Sequence, residues 1–153
     1  MAYHVSWIVR HQVLYISLSD EITLADFRDS TKQIADYMDD AYSTGTTNLI
    51  IGIIDLTHAK LGFLMRSAIS VAQDISDVID PRHWNAKPGF VVLITVSEAA
   101  KLLTSVIIRI SKQPMTTVAS LNEALAVVCS MYPDLQTQID TYQASEHSAG
   151  TAT

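Results

Sequence analysis

The unbroken apolar run from Leu49 to Ile54 constrains the fold of this chain more than any other segment. It contains no polar side chain, and Asp55 follows it directly. A strand without a polar side is buried on both faces, which places it inside a sheet and favours parallel pairing with a neighbour. Parallel strands need crossover connections, which are usually helices, so the run predicts an α/β fold.

Two further strands are predicted before this run. Apolar and polar residues alternate from Tyr3 to Val9 and again from Val13 to Ser17, which is the period-two pattern of strands. Arg10-His11 interrupts the alternation and predicts a hairpin. Because Arg-His does not suit a two-residue primed turn, a longer loop stays open as an alternative.

Four helices are predicted. The second runs from Gly62 to Ile79, and the first, third and fourth begin at the N-caps Thr23, Ser97 and Ser120. Thr23, Ser97 and Ser120 are N-cap residues of the first, third and fourth helices, because their hydroxyls can accept from backbone N–H groups. Periodicity near 3.6 residues predicts the buried sides of the first and third helices. These positions are Leu24, Phe27, Thr31, Ile34, Met38 and Ala41, and then Ala99, Leu102, Leu103, Val106 and Ile110.

Strands at Gly89–Thr95 and Pro114–Val118 complete the predicted order, β-β-α-β-α-β-α-β-α. This order predicts a single-layer mixed β-sheet covered by helices, in one α/β domain over residues 1–132. The helical pattern fades after Tyr132, so residues 133–153 are predicted to form a C-terminal extension. Its end, Ala144 to Thr153, is predicted to be disordered.

The composition narrows the class of protein. At 153 residues with 48% hydrophobic and 17% charged residues, the chain can bury a core. A net charge of −6 disfavours nucleic acid and anionic membranes as partners. No signal peptide or membrane-spanning run is visible, and the single cysteine, Cys129, excludes an internal disulfide. We therefore expect a cytoplasmic protein without a metal or other cofactor.

Four segments resemble the STAS family, also described as SpoIIAA-like or anti-sigma factor antagonist-like. They are Val13–Thr23, Ile53–Thr57, Val91–Ser97 and Val118–Leu125, and the resemblance covers about residues 3–130. It implies a SpoIIAA/STAS-like fold and a non-catalytic function. Members of that family bind anti-sigma kinases or other signalling proteins, and some relatives bind small or lipid-like ligands.

The family's regulatory segment is not preserved. Members carry a phosphorylated Ser or Thr in an Asp-Ser-x-Gly segment at the start of the second helix, whereas this chain has Asp55-Leu56-Thr57-His58 there. The nearest hydroxyls are Thr57 and Ser67, which are the candidate phosphoacceptors.

Candidate binding residues follow the apolar run. Asp55, Thr57, His58 and Lys60 are predicted in a loop at the carboxyl end of a parallel strand, where α/β proteins bind ligands. The alternative is that Asp55 and Thr57 only satisfy loop backbone groups while the other two are solvated.

A second candidate surface lies on the predicted second helix. Phe63, Met65 and Ile69 fall outside its inward stripe, with Arg66 between them, and predict a surface for a protein partner or a homodimer. The alternative is ordinary core packing.

No catalytic motif accompanies these surfaces. The sequence has no Gly-x-Ser-x-Gly, Gly-x-Gly-x-x-Gly, phosphate-binding loop or His-Glu-x-x-His motif, and its five histidines show no ligand spacing. We expect a protein-interaction module in bacterial-type signalling rather than an enzyme. The alternative is a small-molecule or lipid-binding protein of the same fold.

Overall fold

The described residues of the chain form a mixed five-stranded sheet in which the strands lie in chain order, β1-β2-β3-β4-β5. The computed structural model describes residues 2–45, 49–60, 62, 66, 89–111 and 114–151. Its strands are β1 (Tyr3–Val9), β2 (Val13–Glu21), β3 (Ile51–Lys60), β4 (Phe90–Ile94) and β5 (Met115–Val118). Its helices are α1 (Leu24–Ser43), α2 (Glu98–Ser111), α3 (Leu121–Met131) and α4 (Gln136–Thr151), with a 3-10 turn at Pro133–Leu135.

Among the described strands, the first pair alone is antiparallel. β1 pairs antiparallel with β2, and β2, β3, β4 and β5 pair parallel in succession. The prediction that the apolar run forms an internal parallel strand is confirmed, because β3 lies between β2 and β4 and Ile51 and Ile53 are fully buried. The first residue of the run, Leu49, lies outside β3 and is 59% exposed.

Each face of the sheet carries its own apolar cluster. On one face, Leu14 and Ile16 of β2 pack with Met38 of α1 and Leu103 of α2. On the other face, the cluster joins the sheet to α3 and α4, and its central members are Ile53, Val92, Leu125, Val128 and Ile139. Burying a large apolar side chain contributes about 1.5–3 kcal/mol, so the two clusters are the main source of stability.

The hairpin between β1 and β2 has a three-residue connection, Arg10 to Gln12. The N–H of Gln12 donates to the carbonyl of Val9 at 3.0 Å, and His11 has a φ of 62°. A non-glycine residue seldom adopts this left-handed conformation. The longer-loop alternative is therefore correct.

The predicted helix caps are confirmed. The Thr23 hydroxyl accepts from the N–H of Asp26, whose carboxylate accepts from the N–H of Thr23, which completes a capping box. The hydroxyls of Ser97 and Ser120 accept from Ala100 and Glu123 in the same way. These contacts satisfy N–H groups that the first helical turn leaves unpaired.

The predicted buried side of α2 is partly wrong. Ala99 is exposed and Leu102 is 65% exposed, whereas Ala100, Leu103 and Thr104 are buried. The Thr104 hydroxyl donates to the carbonyl of Ala100 at 2.8 Å, which removes the cost of burying a polar group. The helix is therefore rotated relative to the stripe that hydrophobicity alone predicts.

The prediction of a disordered chain end is wrong for residues 144–151. These residues continue α4, which begins at Gln136. Leu135 and Ile139 belong to the α3 side of the core and are 3% and 1% exposed. The segment after residue 132 is therefore packed against the sheet domain through these two side chains.

Other predictions concern residues outside the described ranges. Of the predicted second helix only Gly62 and Arg66 are described, and both are helical and exposed. No helix in the described part of the chain is long and apolar enough to cross a membrane.

Candidate functional site

The predicted loop after Asp55 is instead the second half of strand β3. This strand continues to Lys60 and pairs parallel with β2, with His58 opposite Ser19 and Lys60 opposite Glu21. Within the described residues, β4 pairs with β3 only as far as Asp55. The carboxyl-terminal halves of β2 and β3 therefore extend past β4 as a two-stranded ribbon.

A β-bulge in this ribbon sets which way its side chains point. Ser17 pairs with Asp55 and Ser19 pairs with His58, so one residue of β2 lies opposite the two residues 56 and 57 of β3. Bulges shift the alternation of a strand and redirect its side chains. As a result, residues 56 and 59 both pack against the α1-side cluster, although three positions separate them. His58 consequently lies on the same side of the sheet as Asp55.

The Asp55 carboxylate is held by donors from two strands. The hydroxyl of Tyr15 on β2 donates to its Oδ2 at 2.7 Å. The backbone N–H of Thr57 donates to its Oδ1 at 2.9 Å, and the hydroxyl of Thr57 donates to the same oxygen. We call Tyr15, Asp55, Thr57 and His58 the Asp55 patch.

These contacts fix the charge state of the Asp55 patch. Partial burial opposes ionisation of Asp55, but hydrogen bonds from the Thr57 hydroxyl and N–H and from Tyr15, together with His58, outweigh it and lower the pKa of Asp55. Burial, and then the hydrogen bond to Asp55, raise the pKa of Tyr15 far above its ordinary value. At neutral pH the carboxyl is therefore ionised and the phenol keeps its proton.

Helix α4 brings two further groups to the Asp55 patch. The negative charge of Glu146 and the phenol of Tyr142 both add to the raised pKa of Tyr15. Burial, and then Glu146, raise the pKa of Tyr142 itself. Tyr15 and Tyr142 pack against the same α3-side cluster. Aromatic and acidic side chains of α4 thus border the patch.

Three residues at this site were not predicted from the sequence, namely Tyr15, Tyr142 and Glu146. Tyr15 was visible only as one position of an alternating strand, and the chain end was expected to be disordered. A signal was present, because Leu135, Ile139 and Tyr142 recur at helical spacing. That stripe predicts a helix with one apolar side.

The other predicted site residues have different outcomes. Thr57, His58 and Lys60 are exposed, and Asp55 is half-buried. Lys60 lies at the end of β3, and its carbonyl accepts from the N–H of Ile22 at 3.4 Å. The predictions for Phe63, Met65, Ser67 and Ile69 lie outside the described residues, whereas Arg66 is exposed.

The hydrogen bonds of the Asp55 patch limit what its carboxyl can do in proton transfer. A carboxyl with a lowered pKa is a weak base at neutral pH, and the hydroxyl of Thr57 already donates to it. In the described part of the chain, no group of three or more His, Cys, Asp or Glu side chains is close enough to hold a metal ion. Thr57 and His58 expose their side chains to solvent at this position.

Comparison with known proteins adds evidence about the fold. No protein-family model matches the sequence. No curated protein matches it. Among solved structures, the chain is similar to an uncharacterized protein of the DUF3478 family with a SpoIIAA-like fold, from Shewanella loihica PV-4. The identity is 18%, the match covers 84% of this chain and 93% of that one, and the TM-score is 0.52.

This likeness shows that the chain has a SpoIIAA-like fold. The predicted fold class, a mixed α/β domain of SpoIIAA/STAS type, is confirmed. Because the similar protein is uncharacterized, the likeness gives information about the fold and not about function.

Proposed function

We propose that this chain is a non-catalytic protein-interaction module of STAS type that acts in bacterial-type signalling or regulation, alone or as a homodimer in the cytoplasm. Its binding surface includes the Asp55 patch and the exposed end of β3. The observation that carries this proposal is the β-bulge, because it turns His58 to the side of the sheet where Asp55 lies.

The hydrogen bonds of Asp55 support a binding role. Tyr15 and Thr57 hold both carboxylate oxygens, and they fix the orientation of the group before any partner arrives. A preorganised polar group costs less conformational entropy on binding than a free one. Oδ2 accepts only from Tyr15 among the described residues and therefore retains acceptor capacity for a donor from a partner, whereas Oδ1 already accepts two hydrogen bonds from Thr57.

The form of the surface favours a protein partner over a small molecule. Thr57, His58 and Lys60 are exposed along an extended ribbon. Small-molecule sites are usually concave and bury most of the ligand. The exposed end of a strand instead suits contact with another protein surface.

Site-directed photo-crosslinking in the native host tests the proposal. A photoreactive amino acid replaces His58 in one variant and Gln138, an exposed residue of α4, in a matched control. We expect one recurrent protein adduct at the first position and none at the second. The yield of this adduct should fall at least tenfold when Lys60→Glu is added to the first variant. Reversing this charge removes the electrostatic complementarity between the surface and its partner.

Equal labelling at both positions would contradict the proposed surface.

A second measurement tests the non-catalytic part, using ester, phosphomonoester and nucleotide substrates with highly purified protein. Turnover that disappears in Asp55→Asn or His58→Ala while the fold is retained would show an enzyme instead.

A further inference from the structure

Helix α2 carries apolar residues around most of its circumference. Leu103 is 6% exposed, whereas Leu102 beside it is 65% exposed. Ala99 is exposed as well, and Val106 is half-buried. A helix that is apolar on all sides is normally covered on all sides. The part of the chain that the structure describes covers Leu103 and leaves Leu102 in solvent.

The position of α2 leaves its outward side open to another molecule. The helix connects β4 to β5, and β5 is the last strand of the described sheet. Leu103 packs with the α1-side cluster, whereas α3 and α4 contribute to the cluster on the other face of the sheet. Helix α2 therefore lies over one edge of the described sheet, where a second protein can approach it.

One outward stripe of α2 has the spacing of a seam between paired helices. Its four residues follow one another after four, three and four positions, and all four are exposed: Glu98, Leu102, Ser105 and Arg109. This alternation is the a and d spacing through which two helices pack lengthwise. The Ser105 hydroxyl donates to the carbonyl of Lys101 in its own helix at 3.1 Å, so its proton needs no other acceptor.

The charges at the two ends of this stripe are opposite. Glu98 lies in the first turn of α2 and Arg109 in its last turn. In an antiparallel pair of α2 helices, Glu98 of each copy lies opposite Arg109 of the other. Leu102 and Ser105 are placed symmetrically between these ends, so they also lie opposite each other. Every contact then occurs twice, which is the self-complementarity that a two-fold interface requires.

The present contact of Glu98 is compatible with this pairing. Nζ of Lys101 lies 3.1 Å from Oε1 of Glu98, and the Glu98 side chain is 86% exposed. An exposed ion pair of this kind contributes little to stability, so Glu98 can turn to a second partner at little cost. Arg109 is exposed and forms no ion pair with the described residues. Its guanidinium can hold a carboxylate through two parallel hydrogen bonds.

We infer that α2 binds α2 of a second copy of this chain, antiparallel and related by a two-fold axis. Leu102 occupies the centre of the interface, and two Glu98–Arg109 pairs fix its register. This inference rests on the homodimer of the proposed function, and it places that dimer on the opposite face of the sheet from the Asp55 patch. Because one helix pair buries less surface than a standard interface, the dimer should be weak and concentration-dependent.

Sedimentation of two charge-reversal variants, apart and mixed, tests this interface. Glu98→Arg alone places two positive charges opposite each other at each end, and Arg109→Glu alone places two negative charges there. We expect each variant alone to associate about tenfold more weakly than the wild-type protein. An equimolar mixture should regain the wild-type association, because every end contact then joins opposite charges again.

The controls for net charge are Asp134→Arg and Arg10→Glu, which make the same changes of charge at exposed positions elsewhere. Both should associate as the wild-type protein does. Leu102→Asp should abolish association with a nearly unchanged melting temperature, because its side chain is already in solvent. This variant decides the matter if a charge-reversal variant fails to fold.

Two results would overturn the inference. One is a wild-type protein that stays monomeric at about 1 mM, and the other is a mixture that associates no better than its components. If the His58 adduct with another protein still forms in such a case, the proposed function stands without this dimer.

Discussion

Asp55 connects two strands through one carboxylate, because it lies on β3 and accepts from Tyr15 on β2. Removing the Tyr15 hydroxyl by Tyr15→Phe takes away one donor to an ionised group, and we expect a loss of about 1–2 kcal/mol in unfolding free energy. Urea denaturation at neutral pH measures it. The control is Tyr3→Phe on β1, whose hydroxyl bonds to no described residue. Equal losses in the two variants would show that the bond to Asp55 contributes nothing.

The lowered pKa of Asp55 predicts an acid dependence of stability. Its ordinary value is 3.8, and its folded value is lower, so the unfolded chain binds this proton more readily. The contribution of Asp55 is complete above pH 3.8 and is lost as the pH falls through the folded pKa. Asp55→Asn should flatten the decline of unfolding free energy between pH 5 and 2, measured by urea denaturation.

The control for this pH series is Asp134→Asn, at an exposed position in the 3-10 turn. It changes the net charge equally. If both variants flatten the curve alike, the effect belongs to net charge and not to the contacts of Asp55.

Helix α2 provides a matched pair of leucines at the scale of one element. Leu103 is 6% exposed and Leu102 is 65% exposed, although the sequence predicts both on the buried side. Leu103→Ala should cost about 2–4 kcal/mol by leaving a cavity, whereas Leu102→Ala should stay within about 0.5 kcal/mol. Denaturant melts of the two proteins test whether Leu102 is exposed, as in the structure, or buried, as the hydrophobic pattern predicts. A cost of more than about 1 kcal/mol for Leu102→Ala would favour the pattern.

The elements that sequence analysis predicted best are those whose signals are local. The apolar run that ends at Ile54, and the caps at Thr23 and Ser120, each depend on residues a few positions apart. The second half of β3 was missed because its bulge breaks period two, and the polar residues after Asp55 resemble a loop. The pairing that stabilises it comes from β2, where the partner of each residue lies 39 positions earlier in the chain, as for Ser19 and His58.

The Asp55 patch was predicted only in part for the same reason. Asp55, Thr57 and His58 are close in sequence, and the carboxyl end of a parallel strand is an expected binding position. Tyr15 and Glu146 reach the patch from distant segments, through strand pairing and through the packing of α4. These residues are far from Asp55 in the sequence, so no local pattern predicts that they lie near it in the fold.

At the scale of the whole molecule, the packing of α4 indicates that the folded domain extends beyond residue 132. Ending the chain after Tyr132 removes Leu135 and Ile139, which are 3% and 1% exposed. We expect this truncation to lower the melting temperature strongly or to prevent folding. The point variant Ile139→Ala should cost about 2–5 kcal/mol, against less than about 0.5 kcal/mol for Gln138→Ala beside it.

Calorimetry on the purified proteins measures these differences. A truncated chain with unchanged stability would show that α4 is an independent appendage. The matched pair keeps the test informative if the truncated chain fails to fold.

The sequential order of the sheet bears on how the nascent chain folds. Each strand joins the edge left by the strand before it, so the sheet can grow in step with synthesis from its amino-terminal end. Until β4 arrives, the edge exposed on this growing sheet is the apolar half of β3. Open apolar strand edges recruit strands from other molecules. Nascent chains in which β3 has left the ribosome and β4 has not should therefore aggregate, and co-translational chaperones should engage the chain most strongly at that stage.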